Sequence, residues 1–263
     1  MLRQVLTLLI VFGCVSRTVP NQRFQASQAL TAPTLAASSA TEFSFAAVGD
    51  LHIAGGGTER LKTIVSQATA ENDSFLVLLG DIVDTGVKSD FEAVHTSLAG
   101  FPTLFVIGNH DIFNDGWTSY ALLNGPSHYS IEFASSRFIA IDTADGAVTQ
   151  SEFDWLKKEL ENNKKENVFI LSHYLPHIPG QRTYLRLSNE AEAVRLMKLA
   201  SEHHVRAWLG AHYHSFLKGT VDGVDYVVAG GGGGRRMPPE LRNFFVQVKV
   251  SGTNATYELK VVD

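Results

Sequence analysis

The chain has 263 residues, 44% hydrophobic and 19% charged, with 22 Gly and 8 Pro, an ordinary globular composition that excludes a wholly disordered, collagenous or coiled-coil protein. Its 22 basic and 27 acidic residues leave a net charge of −5 with neutral His, so bulk attraction to nucleic acid or anionic lipid is not expected. The single cysteine excludes an internal disulfide framework and a Cys-x-x-Cys zinc or redox site, which leaves ten histidines to be explained.

At the N-terminus, Met1-Leu2-Arg3 leads into the apolar run Val5–Phe12, followed by Gly13 and Cys14. A bilayer-spanning helix needs about 20 apolar residues, so so short a run reads as a secretory signal. The position of Cys14 resembles a bacterial lipobox, which makes residues 1–14 a signal and lipobox-like segment and Cys14 the lipid-bearing residue of an exported protein. A non-lipidated signal cut near Gly13 and an uncleaved anchor are the alternatives; the expected location is the membrane surface, the periplasm or the exterior. Residues 15–41, rich in Ser, Thr, Ala and Gln without periodicity, read as a flexible tether. The folded domain is expected over residues 42–263.

From Phe43 a unit repeats: a short apolar strand, a Gly or polar turn, then a helical stretch. Phe43–Val48 runs into Asp50 and His52, Phe75–Leu79 into Asp81 and Asp84, and Thr103–Ile107 into Asn109, His110 and Asp111. Val168–Leu171 runs into His173, and Val205–Leu209 into His212 and His214. Such runs, rich in β-branched and aromatic residues, suit strands buried on both faces. Between them, Ser89 with Glu92, Ser151 and Ser188 are expected to cap amphipathic helices. After His214, Tyr226–Ala229, Phe244–Val250 and Ala255–Val262 read as successive strands. No internal repeat of fixed period is seen.

An Asp after Gly is ordinarily a turn residue, and a lone His is ordinarily a surface or core residue. Five clusters, each just beyond a strand's C-terminal end, are harder to assign to turns, because that edge of an α/β sheet is where ligands bind. Asp50, His52, Asp81, Asn109, His173, His212 and His214 together supply carboxylate, imidazole and amide but no thiolate, a set that suits Mn, Fe, Zn or Ni. Seven donors exceed the needs of one four- or five-coordinate ion; a shared carboxylate would hold two ions about 3.5–4 Å apart. At neutral pH the carboxylates are ionised and the imidazoles largely neutral, so both are ready to ligate.

The ordered blocks GDLH, GDIVD, GNHD, a later isolated His and a final HxH resemble the calcineurin-like metallophosphoesterase superfamily from Asp50 to His214. The resemblance implies an α/β fold, a two-sheet β-sandwich flanked by α-helices in four layers, with two divalent or di/trivalent metal ions at the strand ends. It implies that Asp50, His52 and His214 hold one ion, that Asn109, His173 and His212 hold the other, and that Asp81 bridges them. It gives His110 the catalytic role, protonating the leaving oxygen or stabilising the phosphoryl group, and Asp84 that of the carboxylate orienting it. The implied activity is hydrolysis of phosphate mono- or diesters on a small phosphoester substrate, without a nucleic-acid-binding module and with membrane contact only through the N-terminal anchor.

Departures narrow the subclass. Thr85 and Asp111 stand where the superfamily's protein phosphatases carry Arg and Glu, and Asp84 stands where purple acid phosphatases carry a metal-binding Tyr. The usual GHxH block here reads Gly210-Ala211-His212. His95, His128, His203 and His204 are read as structural, and His177 as a loop residue that could line the pocket. The glycine run ending at Gly234 precedes Arg235 and Arg236, which are candidate phosphate clamps given the missing Arg at position 85. Asn72-Asp73-Ser74 and Asn254-Ala255-Thr256 match glycosylation triplets that a bacterial protein would not use. A non-catalytic scaffold that keeps the fold is the alternative; a mononuclear hydrolase would leave Asn109 and His173 without a task. Substrate choice is expected to lie in residues 114–128 and 177–187.

Overall fold

The computed structural model describes residues 19–180 and 185–262, so the apolar run and Cys14 lie outside the described residues. In chain order come α1 (Pro20–Ser27), β1 (Glu42–Val48), α2 (Glu59–Ala70), β2 (Leu76–Leu79), α3 (Lys88–Leu98) and β3 (Thr103–Val106). Then follow α4 (Gly116–Asn124), the hairpin β4 (Tyr129–Phe133) with β5 (Ser136–Ala140), α5 (Gln150–Glu161), β6 (Asn167–Leu171), α6 (Glu190–Glu202) and β7 (Ala207–Gly210). Two further hairpins pair β8 (Phe216–Val221) with β9 (Val224–Ala229), and β10 (Phe244–Ser251) with β11 (Asn254–Val261).

Five strands form one sheet in the order β11-β10-β1-β2-β3, and six form the other in the order β4-β5-β6-β7-β9-β8. The neighbours β1, β2 and β3 are parallel, as are β5, β6, β7 and β9, so the C-terminal ends within each series point one way. Side chains alternate across each sheet. β1 sends Phe45 and Ala47 between the sheets and Ala46 and Val48 outward, while β6 sends Phe169 and Leu171 inward and Val168 and Ile170 outward. Both faces are apolar because α2, α3 and α4 cover the first sheet and α5 and α6 the second. The expected four-layer sandwich is therefore the observed one. Between the sheets Phe45 stacks on Phe75 at 4.9 Å and meets the edges of Phe138 and Phe169 at 5.3 and 5.7 Å, a set that joins the two sheets.

Several expectations are corrected. The cap of α5 is Thr149 rather than Ser151, its hydroxyl accepting the Glu152 amide at 3.1 Å, and that of α6 is Asn189 rather than Ser188, accepting the Glu192 amide at 3.2 Å. Helix α3 starts at Lys88 with Val87 at the cap position and no side-chain cap bond, which puts Ser89 inside the first turn. The helical stretches expected after the first and third strands are α2 and α4, while the strands β4, β5 and β8 are not anticipated from sequence; β4 and β8 are edge strands with only partial burial.

The largest correction concerns the tether. Pro20–Ser27 is helical, and its Arg23 is completely buried. The Arg23 Nε donates to Asp142 Oδ2 at 2.8 Å, and Nη2 donates to Asp142 Oδ1 at 3.1 Å and to Asp145 Oδ2 at 2.5 Å. Phe24 stacks on the buried His128 at 4.3 Å, whose other side meets Trp155 at 4.7 Å. Residues 28–41 have no regular structure, yet Leu30 packs on the outer core of the first sheet and Ala32 and Leu35 on the core between the sheets. No helix among the described residues is long and apolar enough to cross a membrane.

Candidate metal centre

The loops after β1, β2, β3, β6 and β7, together with the glycine run after β9, meet at one end of the sandwich. Backbone hydrogen bonds knit them: Asp50 N to Gly80 O at 3.0 Å, His52 N to Asp81 O at 3.0 Å, and Gly234 N to Asp50 O at 2.9 Å. Ala211 N donates to His173 O at 2.9 Å, which fixes the register of the last block although Ala stands where Gly is usual. Asp50, His52, Asp81 and His212 all adopt left-handed φ, at 58°, 48°, 49° and 63°. Such a conformation costs a non-glycine residue about 1–3 kcal/mol and persists only where the surroundings enforce it. Gly234 is needed for space: a Cβ there would lie 2.3 Å from His214 Cε1.

All seven expected donors are brought together here. His173 is fully buried, as is Asp50, and Asp81 is 1% exposed. Three groups, Asp50/His52/His214, His52/Asp81/His110 and Asp81/His173/His212, each have ligand atoms within 4.8 Å of one another. Asp81 belongs to two of them, its Oδ2 lying 3.3 Å from His173 Nε2 and 3.8 Å from His52 Nε2. Asn109 Oδ1 is 3.2 Å from His173 Nε2, His212 Nδ1 is 3.3 Å from the same nitrogen, and His214 Nε2 is 3.4 Å from Asp50 Oδ1.

The imidazoles are aimed by a second ring of contacts. His173 Nδ1 faces Leu79 O at 2.8 Å and His214 Nδ1 faces Arg235 O at 2.9 Å; the carbonyl acceptors assign the proton to Nδ1 and leave Nε2 for the centre. His52 Nδ1 meets Asp84 Oδ1 at 3.2 Å, so its Nε2, which has no hydrogen-bond partner, points inward. Neither carboxylate oxygen of the buried Asp50 has a hydrogen-bond partner. An ionised, buried carboxylate without hydrogen bonds, set among inward-facing imidazoles, is well matched to a cation, so the donor set fits a metal site.

Charge is distributed unevenly over the cluster. Burial, aided by the like charge of His173, pushes His212 down to about 4, and burial also lowers His52, so both favour the neutral, ligating form. Burial would lower His173 as well, but Asp81 overrides it and raises the imidazole to about 9. His173 and His110 in turn hold Asp81 well below the usual carboxylate range, against the opposing effect of burial.

Three expected roles change. His110 Nδ1 donates to the backbone carbonyl of Asp84 at 2.7 Å, while Asp84 Oδ1 is 3.6 Å away; the carboxylate's nearer imidazole is His52. Arg236 does not project as a clamp: its Nε donates to Gly234 O at 2.8 Å and its Nη1 to Gly230 O at 2.7 Å, binding the glycine loop together. Arg235 is exposed and enters the site through its carbonyl. Asp111, passed over in sequence as a mere departure, is buried and accepts the amides of Ile82, Val83 and Gly108 at 2.9, 3.0 and 2.8 Å, fastening the β2 loop to the β3 loop. Tyr174, also missed, lays its ring on His212 at 3.8 Å between centroids. Elsewhere His95 bonds Asn124 Oδ1 at 2.8 Å and stacks on Phe105, His177 packs near Tyr226, and His203 caps the C-terminus of α6.

A two-sheet α/β sandwich with buried Asp and His donors gathered at its strand ends defines a metallophosphoesterase-like protein. The chain belongs to the calcineurin-like phosphoesterase family, whose model matches residues 43–216. It is 26% identical over 163 residues to a protein of Fibrobacter succinogenes named "Probable cyclic nucleotide phosphodiesterase", a match that takes in 58% of this chain and 62% of that relative. The chain thus spans about three fifths of that relative's length. Among solved structures it is similar to a dimetal phosphatase of Danio rerio (TM-score 0.66, 16% identity, covering 83% of this chain and 96% of the other). It is also similar to the purple acid phosphatase PPD1 of yellow lupin (0.69, 15%, 87% and 53%) and to GAP50, the anchor in the inner membrane complex of Plasmodium (0.65, 16%, 84% and 84%). At these identities the structural likenesses show the fold.

Proposed function

We propose that the protein is a dinuclear metal-dependent phosphoesterase that hydrolyses phosphate mono- or diesters. Asp50, His52 and His214 would hold one ion and Asn109, His173 and His212 the other, with Asp81 shared. The observation that carries this reading is the placement of Asp81 Oδ2 between His173 Nε2 at 3.3 Å and His52 Nε2 at 3.8 Å, beside an Asp50 whose two oxygens lack partners. A pair of Mn, Fe, Zn or Ni ions bound there would polarise the phosphoryl oxygens and bring the pKa of a coordinated water towards about 7.

The protein's own groups do the rest. His110 N donates to Asp81 Oδ1 at 2.8 Å, and its Nδ1 is fixed on Asp84 O, so Nε2 is left to face substrate. As the P–O bond to the leaving group breaks, its electron pair passes to the departing oxygen and Nε2 delivers a proton there; water supplies the new P–O bond. The Asp84 carboxylate lies 3.6 Å from His110 Nδ1. The name of the Fibrobacter relative makes cyclic nucleotides the first diesters to try. We also propose export, with Cys14 as a membrane anchor.

The test is metal analysis together with hydrolysis of 4-nitrophenyl phosphate, bis(4-nitrophenyl) phosphate and cyclic nucleotides. Two bound ions and turnover are expected; protein that stays metal-free and inactive after reconstitution with Mn, Fe, Zn and Ni overturns the reading. A purely scaffolding role, suggested by the anchor among the fold neighbours, gives no reason to keep buried acids and inward-facing imidazoles together.

A further inference from the structure

Phe113 is the one aromatic side chain among the large hydrophobics left exposed in the described residues, with 38% of its surface accessible, and it belongs to none of the three cores. Its ring lies beside His110, with centroids 4.8 Å apart and a tilt of 47°. The backbone that presents it is strained: Asn114 and Asp115 follow in succession with left-handed φ of 51° and 58°. That geometry is held from the neighbouring loop. Asn114 Nδ2 donates to Thr85 O at 3.2 Å, and the chain passes so close to Gly86 that a Cβ there would lie 2.3 Å from Phe113 O. The turn thus fixes an exposed ring beside a site residue, where it meets whatever that residue serves.

We infer that Phe113 is a specificity-determining platform for the leaving group, receiving a flat, uncharged aromatic group such as a nucleobase or an aryl ring. The inference rests on the proposed role of His110 as proton donor to the departing oxygen. That oxygen must come within about 3 Å of His110 Nε2, so whatever it carries extends through the space next to the imidazole, where Phe113 stands. An exposed ring there rewards a partner with a π-face. Asp84, 46% exposed in its side chain, and the exposed Asp115 line the same two loops and disfavour an anionic leaving group.

The experiment uses the metal-loaded full chain as wild type, Phe113→Ala and Phe113→Tyr. Within whichever ester class is cleaved, an aryl ester is set against an alkyl ester: 4-nitrophenyl phosphate against glycerol 3-phosphate, or bis(4-nitrophenyl) phosphate against glycerophosphoethanolamine. The aryl-to-alkyl ratio of kcat/KM is expected to fall about tenfold in Phe113→Ala, chiefly through KM, and to recover in Phe113→Tyr. Equilibrium binding of 4-nitrobenzylphosphonate and methylphosphonate gives a readout independent of turnover, with the same tenfold loss expected for the aryl phosphonate alone. An unchanged ratio, or equal losses for aryl and alkyl ligands, overturns the platform. Aryl preference in binding without hydrolysis of any ester would show an aromatic-binding ring but overturn the phosphoesterase reading, and with it the leaving-group role.

Discussion

Asp142 and Asp50 are both buried carboxylates, but they are neutralised in different ways. Beneath α1, Asp142 and Asp145 accept hydrogen bonds from the guanidinium of Arg23. At the strand ends, the ion pairs of Asp50 and Asp81 among the described residues are all with imidazoles, at 3.3–3.8 Å, and both oxygens of Asp50 lack hydrogen-bond partners. Removing a charge from water costs several kcal/mol unless a close counter-charge offsets it. The dock under α1 carries its own cation within the fold and is complete. The strand-end cluster instead turns the donor atoms of several acids and imidazoles towards common centres, which distinguishes a site from a staple.

Breaking the dock gives the largest expected effect. Arg23→Ala would leave Asp142 buried without its cation, and urea denaturation should show a loss of about 3–5 kcal/mol; undiminished stability would erase the contrast. At the strand ends the same kind of deletion should act on function. Asp81→Asn is expected to lower kcat by about 10²–10³-fold, with loss of bound metal measured by metal analysis. Stripping metal should lower the melting temperature reversibly; at free metal about a hundredfold above Kd, binding contributes roughly 2.7 kcal/mol, and scanning calorimetry before and after chelation checks it.

A pH slope completes the comparison, read at the dock by replacing His128. Burial pushes His128 down to about 4 from an ordinary 6.5. The unfolded chain therefore takes up this proton first, so the stability is complete above about pH 6.5 and is lost as pH falls towards 4, by at most about 1.4 kcal/mol per pH unit. His128→Phe, which keeps an aromatic ring between Phe24 and Trp155, should flatten this part of the stability profile. Glu152, raised by burial and by Asp142, contributes in the opposite sense at higher pH.

The strands that carry the site were legible because their two buried faces leave uninterrupted apolar runs, and the donors because each follows such a run. Edge strands β4 and β8 bury only part of their length and leave no such signature. The groups that aim the imidazoles were hidden for a different reason: Leu79, Asp84 and Arg235 act through backbone carbonyls, which every residue type possesses. Arg236 illustrates the converse, a residue type suited to phosphate whose donors are taken up by neighbouring carbonyls. Helix α1 has no sequence signature because PNQRFQAS has no apolar stripe. Its attachment depends on partners 119 residues away in sequence.

The docking of α1 changes how far the domain could roam from an anchor. A free stretch over residues 15–41 would have a contour length of about 90 Å, enough for the domain to range widely over a surface. With the chain tied down from Val19 onward, only five Cα–Cα steps separate the proposed anchor at Cys14 from the folded body, roughly 18 Å at full extension. That reach is close to the radius of gyration of a domain this size, about 17 Å. An enzyme on so short a leash would draw its phosphoesters from the layer of solution next to the membrane.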